Sequence, residues 1–148
     1  MEHVLLSVHV LAAIVFVGGS AVAASLFPRY APVAEGADSA GDQRNPAVAA
    51  ALHRITGRYV AVALIVPVVG IALAALQGRL GEIWISTAMV LTLVAGGLIA
   101  VQIHPLQREA LRDPDDGRRL RALGMYAGIY NTLWAIVVVL MIVRPGAS

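Results

Sequence analysis

The strongest candidate for a functional residue in this sequence is a histidine inside an apolar run. His9 lies within Val4–Phe27, VLLSVHVLAAIVFVGGSAVAASLF, a stretch without a formal charge. A histidine at such a position is a functional candidate because polar groups are costly in lipid. Its imidazole can bind haem iron, for which methionine is a known second axial ligand. Met89 is the further metal-binding side chain that we expect near the same depth.

Each of these two residues also has a simpler explanation. His9 would form a hydrogen bond with a backbone carbonyl or with Thr87 of a neighbouring helix. Met89 would fill space between helices, a common role of methionine and the interpretation that we favour for it. For His9 the ligand and the hydrogen-bond interpretations both stay open.

A basic group follows in the middle of the chain. His53 with Arg54 and Arg58 precedes one apolar run, and His104 with Arg108 follows the next. The guanidinium groups could hold haem propionates, a phosphate or an anionic lipid headgroup, or they are ordinary anchors at the membrane surface. A zinc ion at the two histidines would need further ligands, and no His or acidic residue is placed to complete the set. We predict no metal site there.

Asn131 is a polar residue deep in the last apolar run, at the level of Gly19 and Ser20. We expect a hydrogen bond between helices, of the kind that holds membrane bundles together; contact with a quinone or porphyrin carbonyl is the alternative. No Ser-His-Asp set, paired intramembrane carboxylates or phosphate loop is present. A proton pump or ion-coupled transporter is disfavoured, because no Asp or Glu lies inside an apolar run.

Four charge-free runs must position these residues, and each is near the roughly 20 residues that cross a bilayer. They cover residues 4–27, 59–76, 83–103 and 123–143. Two long connections, 28–58 and 104–122, and one short turn join them. The pattern predicts an all-α fold, in which residues 1–148 form a single integral membrane domain built as an antiparallel four-helix bundle.

Composition and charge agree with a membrane protein. Hydrophobic residues make up 59% and charged residues 14%, whereas a soluble domain has roughly a quarter of its residues charged. The absence of cysteine excludes disulfides, thiolate metal sites and thiol catalysis. The net charge of +2 is too small to suggest nucleic acid.

The positive charges are distributed unevenly. All eleven are arginines, and nine of them lie in the two long connections: Arg29, Arg44, Arg54, Arg58, Arg108, Arg112, Arg118, Arg119 and Arg121. The positive-inside rule therefore places both connections in the cytoplasm and both termini outside the cell membrane.

Prolines and small residues predict local features. Asn45-Pro46 is typical of a helix start, Asp113-Pro114 would cap the last helix in the same way, and Pro28 should end the first helix. Pro67 frees the carbonyl of Ala63, which a neighbouring helix must cover. The third helix should continue past His104-Pro105 with a bend and stop at Arg112. Small residues at four-residue spacing favour close packing of helices: Gly19 and Ala23, Ser20 and Ala24, and Gly124, Gly128 and Thr132.

The stretch from His9 to Gly19, HVLAAIVFVGG, resembles the first-helix signature of the CopD-like group of small four-helix membrane proteins. This group includes copper-resistance D domains, uncharacterised bacterial membrane proteins and the HemJ-type protoporphyrinogen oxidase. Its histidine is followed seven residues later by tryptophan and then by glycine, and Phe16 replaces the tryptophan here. The resemblance covers the first helix, the span count and Pro67, and the last two helices only loosely.

The resemblance implies that His9 is a ligand of haem b or copper. It does not imply a HemJ-type activity, because a third-helix lysine of that enzyme has no counterpart in a chain without lysine. The resemblance therefore points to the uncharacterised members of the group.

Three functions are compatible with these observations. The first is a haem-associated or redox-linked membrane protein, with His9 as axial ligand and the cytoplasmic arginines as propionate partners. The second is a non-enzymatic accessory or scaffold subunit that docks onto a larger membrane complex or self-associates. The third is transport of a small hydrophobic molecule, which with four helices would need an oligomer. The bilayer and its anionic headgroups are partners in each case, and whether the protein is an enzyme stays open.

Overall fold

The structure consists of four long helices. The computed structural model describes residues 2–37 and 43–146, and helix is the only regular secondary structure in these ranges. The helices are α1 (Glu2–Tyr30), α2 (Pro46–Leu76), α3 (Ile83–Arg112) and α4 (Arg118–Val143). Each is long and apolar enough to cross a membrane. The predicted all-α fold with four such helices is confirmed, and it supports a multi-pass membrane protein.

The helices pack as a closed ring of four. Each contacts the next along the chain, and α1 also packs against α4. The core consists largely of small residues, such as Ala24, Ala95 and Ala127, whereas Leu11, at 63% exposure, and Ile142, at 75%, face outward. Lipid tails solvate such side chains as well as a protein core does, so close contact between small residues holds the helices together.

The start of α2 is as predicted. Asn45 is its N-cap, and the Asn45 side-chain oxygen accepts hydrogen bonds from the backbone N–H of Ala47 and Val48 at 3.1 and 3.3 Å. Pro46 is the first helical residue, where its missing N–H costs nothing.

The end of α1 was predicted wrongly. The helix continues through Pro28 to Tyr30, and the Ala31 N–H still donates to the Phe27 carbonyl at 3.0 Å. A proline in the last turn removes only its own hydrogen bond, so the helix does not stop there. Arg44 then satisfies terminal carbonyls, donating from Nη1 to the oxygens of Pro28 and Ala31 at 3.3 and 2.6 Å.

The cap of α4 also differs from the prediction, because Asp115 and not Asp113 supplies it. The Asp115 carboxylate accepts from the backbone N–H groups of Gly117 and Arg119 at 2.9 and 3.1 Å. Gly117 has a φ of +92°, which glycine adopts without strain and which lets the chain turn into the helix. The Asp115 carbonyl accepts from the Ala34 N–H at 2.9 Å, so the two long connections are joined.

Helix α3 changes its winding just before its C-terminal segment, which contains Pro105. Leu98–Ile103 is π-helical, and α-helix resumes at His104 and runs to Arg112, as predicted. The wider turn accommodates Pro105, which cannot donate a backbone hydrogen bond. Next to this segment, a Cβ placed on Gly96 would lie 3.5 Å from the Ala63 carbonyl oxygen. Helix α3 thus covers the carbonyl that Pro67 frees.

At the other end of the bundle an ion pair and an aromatic ring join three elements. Arg79 donates from Nε to Glu82 at 2.6 Å, and Trp84 donates from Nε1 to the same carboxylate. The guanidinium carbons of Arg79 and Arg144 lie 5.7 and 5.9 Å from the Trp84 ring centroid. The hydrogen bond from Arg79, then that from Trp84, holds the pKa of Glu82 below its usual range. The α2–α3 turn is thereby fixed to the end of α4.

Candidate functional site

His9 lies on the side of α1 that packs into the bundle. His9, Phe16, Ser20 and Phe27 are spaced by seven, four and seven residues, close to whole helical turns, so they share one side of the helix. Ser20 and Phe27 are 2% and 0% exposed, and Phe16 is half-buried. His9 is exposed, although it points the same way. Residues 7–11 are all exposed, so the neighbouring helices do not cover this end of α1 on any side.

The hydrogen bond considered for His9 is not formed. Thr87 donates instead to the carbonyl of Ile83 in its own helix, at 2.8 Å. Across the described ranges His9 makes no hydrogen bond at all, so both its ring nitrogens are available. Met89 is half-buried on α3, which lies diagonally across the ring from α1. The site offers one available imidazole and not an assembled pair of axial ligands.

Phe16 and Gly19, which belong to the first-helix signature, pack against Tyr59 of α2. The rings of Phe16 and Tyr59 meet edge to face with centroids 6.0 Å apart, and Tyr59 Oη donates to the Val15 carbonyl at 3.4 Å. A Cβ on Gly19 would lie 2.0 Å from that hydroxyl. Phe16 and Gly19 are thus explained by packing. The sequence alone had pointed to neither Tyr59 nor this contact.

His53 and His104 are brought together. Their rings stack with centroids 4.4 Å apart and planes inclined by 11°. Only glycine fits opposite them, because a Cβ on Gly57 would lie 2.9 Å from His104 Nε2. Lone pairs of imidazole nitrogens lie in the ring plane, so two parallel rings cannot direct them at one metal ion.

A buried hydrogen-bond chain orients one ring of this stack. Thr56 donates from its hydroxyl to the Leu52 carbonyl at 2.9 Å, and Gln107 donates from Nε2 to Thr56 Oγ1 at 3.4 Å. Gln107 Oε1 then lies 3.2 Å from His53 Nδ1. Both Thr56 and Gln107 are 0% exposed. An amide oxygen only accepts, so His53 carries its proton on Nδ1 and keeps Nε2 as a free acceptor.

The arginines predicted to accompany these histidines lie outside the stack. Arg54, Arg58 and Arg108 are all exposed, and none forms an ion pair or hydrogen bond with another described residue. They remain available to an anion. The structure does not gather them into one pocket with the imidazoles.

The chain matches no family model, no curated protein and no solved structure. The resemblance of α1 to the CopD-like group stays a prediction from its residues.

Two polar pairs join α1 to α4. Ser20 Oγ and Tyr130 Oη lie 2.8 Å apart in the core, and each residue is 2% exposed. Asn131 donates from Nδ2 to Ser25 Oγ at 3.0 Å, and this second pair is exposed. Ser25 was not anticipated from the sequence, where nothing distinguishes it from the small residues around it.

The glycine stripe of α4 faces away from the bundle. Gly124, Gly128 and Thr132 are exposed, and a Cβ on either glycine would meet no atom within 4 Å. Asn131 and Ala135 continue this exposed side. The stripe is made of small residues and carries one amide.

Proposed function

We propose that the chain is an antiparallel four-helix bundle. Two contacts support this direction. Ser25 of α1 pairs with Asn131 of α4, and beyond the end of α1 the Ala34 N–H donates to the carbonyl of Asp115, which precedes α4. Residue numbers thus rise from Ser25 to Ala34 while those of the partner residues fall.

The bundle lies in the cell membrane with its long connections in the cytoplasm and its termini outside. The distribution of arginines supports this orientation, since nine of eleven lie in those connections. Arg79 and Arg144, at the other end, both lie against the Trp84 ring, where interfacial aromatic residues anchor a helix.

The register of α1 and α2 determines how deep His9 lies. Tyr59 reaches the Val15 carbonyl, and the Asn45 N–H donates to the Tyr30 carbonyl at 2.9 Å. For antiparallel helices these contacts put His9 opposite roughly residue 66 of α2, within its apolar run. An imidazole without a hydrogen bond inside an apolar run is costly unless a ligand covers it.

Within this topology the protein binds haem b, with His9 as an axial ligand, and has a redox-linked role. The observation that carries the proposal is the exposed imidazole without a hydrogen bond, on the side of α1 that packs into the bundle further along the helix. Haem would supply reversible one-electron chemistry, and neutral imidazole is a common ligand of its iron. The chain would contribute the ligand and the surrounding apolar side chains.

The same register gives the distance of each candidate arginine from His9, and this distance decides which one suits a haem propionate. Arg58 precedes Tyr59, so it lies about eight residues, or ~12 Å, from His9 along the bundle axis. Arg54 and Arg108 lie further toward the cytoplasm, beside His53 and Gln107 of the histidine stack. Arg58 is therefore the arginine best placed to meet a carboxylate of a group held by His9.

A visible spectrum tests this proposal. The protein would be purified in mild detergent with haem added, together with the His9→Ala variant and the His53→Ala variant as a matched control. We expect a Soret band for the parent and for His53→Ala, and its loss in His9→Ala. A parent without a Soret band, or a band that survives in His9→Ala, would contradict the assignment.

A second function, an accessory or scaffold subunit that associates laterally, is supported by the exposed face of α4. Asn131 donates one side-chain N–H to Ser25, while its side-chain carbonyl oxygen has no partner among the described residues. Gly124 and Gly128 beside it let another backbone approach closely. An amide both donates and accepts, so a second copy of the same face satisfies it.

Disulfide cross-linking in native membranes tests this association, because the chain has no cysteine of its own. Gly128→Cys should form a dimer on mild oxidation, and Val68→Cys, an equally accessible position on α2 at 66% exposure, should not. Equal dimer fractions for the two variants would contradict the α4 face. A cross-link to a protein of different mass would favour docking onto a larger complex over self-association.

A further inference from the structure

The stacked histidines are separate from the haem proposal and from the α4 face, and neither function uses them. Both rings lie beyond the charge-free runs of their helices, which begin at Tyr59 in α2 and end at Ile103 in α3. They connect the cytoplasmic parts of these two helices. Their contact is therefore a place where proton binding can act on helix packing.

The first proton has a defined destination. The chain from Leu52 through Thr56 and Gln107 fixes the hydrogen of His53 on Nδ1. Because Thr56 and Gln107 are fully buried, reversing this chain would leave buried polar groups unbonded. His53 Nε2 is then the open acceptor, and binding a proton there disturbs none of the existing hydrogen bonds.

A second proton on the stack would be unfavourable. It would place two cations at a centroid distance of 4.4 Å, where like charges disfavour each other. His104 has little room to move toward α2, because even the position of a Cβ on Gly57 lies 2.9 Å from its Nε2. The repulsion between two protonated imidazoles would therefore be relieved by separation of the rings.

Among the described residues no carboxylate pairs with either histidine. Glu109 of α3 and Asp113 just after it lie 3.8 Å from Arg119 of α4 instead. Arg108 of α3 acts electrostatically on His104 and is a cation, as are the exposed Arg54 and Arg58 of α2. Arg44, which precedes α2, is bound to backbone carbonyls at the end of α1.

Helix α3 has a feature that allows such a separation. The π-helical turn Leu98–Ile103 immediately precedes His104, and wider turns of this kind are frequent where helices bend at functional sites. The segment His104–Arg112 is short, so it can tilt about that turn while the rest of α3 stays in place.

We propose that the His53–His104 stack is a proton-operated latch that holds the cytoplasmic ends of α2 and α3 together. With no proton or one proton the rings stay stacked and the latch is closed. Uptake of the second proton opens the latch. This happens in mild acid, below the pH of about 6.5 at which an unperturbed histidine titrates.

Spin-label distances test the opening directly, since introduced cysteines would be the only ones. Labels at Val48→Cys on α2 and Arg112→Cys on α3, both exposed, report the separation of the two ends. Between about pH 8 and about pH 5 we expect a longer and broader distance distribution in the parent. His53→Phe keeps a stacked ring without a titrating group, so its distribution should not change. His9→Phe, the matched control, should respond like the parent.

Histidine NMR titrations in the same detergent give an independent reading. In His53→Phe the His104 titration should move to higher pH, because the neighbouring imidazole that disfavours its charged form is gone. A His104 titration that does not move, or a distance change that persists in His53→Phe, would overturn the proposal. If His53→Phe loses helix by circular dichroism, His104→Phe provides the same comparison.

Discussion

Gly19 of α1 lies directly against the hydroxyl of Tyr59 of α2, so closely that no side chain fits between the two helices there. A Cβ on Gly19 would be 2.0 Å from Tyr59 Oη and 2.5 Å from the ring carbon that bears it. This contact sets the register between α1 and α2, and hence the depth of His9. Two neighbouring glycines, Gly18 and Gly19, thus differ sharply in what they do, because Gly18 has no atom within 4 Å of an added Cβ.

Gly19→Ala should destabilise the protein by about 1–3 kcal/mol, the usual effect of overpacking a tight contact. Thermal unfolding in detergent measures this, with Gly18→Ala as the matched control that should stay close to the parent. Adding Tyr59→Phe to Gly19→Ala removes the nearest atom and should restore part of the loss. Equal effects of Gly18→Ala and Gly19→Ala would show that the contact does not determine the packing of these helices.

Gly57→Ala should push His104 off His53, because its Cβ would lie 2.9 Å from His104 Nε2. The His104 ring should then tilt out of the stack. NMR shifts of the two imidazoles should change, since stacked rings shield each other's protons. Gly70→Ala in the same helix, where nothing lies within 4 Å, is the control and should leave both imidazoles unchanged. Unaltered histidine shifts in Gly57→Ala would argue against the stack.

Tyr130→Phe should lower stability by about 1 kcal/mol, because it removes the buried hydrogen bond to Ser20 while leaving the aromatic ring in place. Tyr126→Phe is a matched control in the same helix, since the Tyr126 hydroxyl has no hydrogen bond within the described ranges. Urea or thermal unfolding of both variants in one detergent gives the difference. If Tyr126→Phe lowers stability as much as Tyr130→Phe does, the hydrogen bond between Ser20 and Tyr130 makes no specific contribution to stability.

Much of the fold followed from counting uncharged positions, because a segment long enough to cross a bilayer has little freedom to be anything but a helix. The Asn45-Pro46 start was visible for the same local reason. The errors came where two local signals competed. Pro28 lies too close to the end of α1 to stop it, and three aspartates follow one another before α4, so the sequence did not show that Asp115 would cap it.

The candidate site was only partly visible. A lone histidine in an apolar run marks His9 directly. The stack of His53 on His104, and the hydrogen bond from Gln107 to Thr56, join residues 51 positions apart in each case. Such contacts depend on the relative register of two helices, which periodicity does not determine, and the π-helical turn shifts that register further.

Acid should weaken the start of α4 through Asp115. Burial raises the pKa of this carboxyl, but backbone hydrogen bonds from Arg119 and Gly117 and the charges of Arg119 and Arg118 lower it more, so the pKa lies below its ordinary value of 3.8 in the folded protein. A lowered pKa stabilises the fold above pH 3.8, and this contribution is lost as the pH falls from 3.8 through the folded value.

Thermal unfolding from about pH 6 down to about pH 2 should therefore show a loss of stability in the parent that is smaller in Asp115→Asn, whose amide oxygen still caps the helix but does not titrate. Glu35→Gln, which changes an exposed acid in the other long connection, should keep the parent's pH profile. This loss lies well below the histidine range, so it separates the cap from the latch between α2 and α3. A parent and an Asp115→Asn variant with the same acid profile would mean that the cap carries no charge-dependent stability.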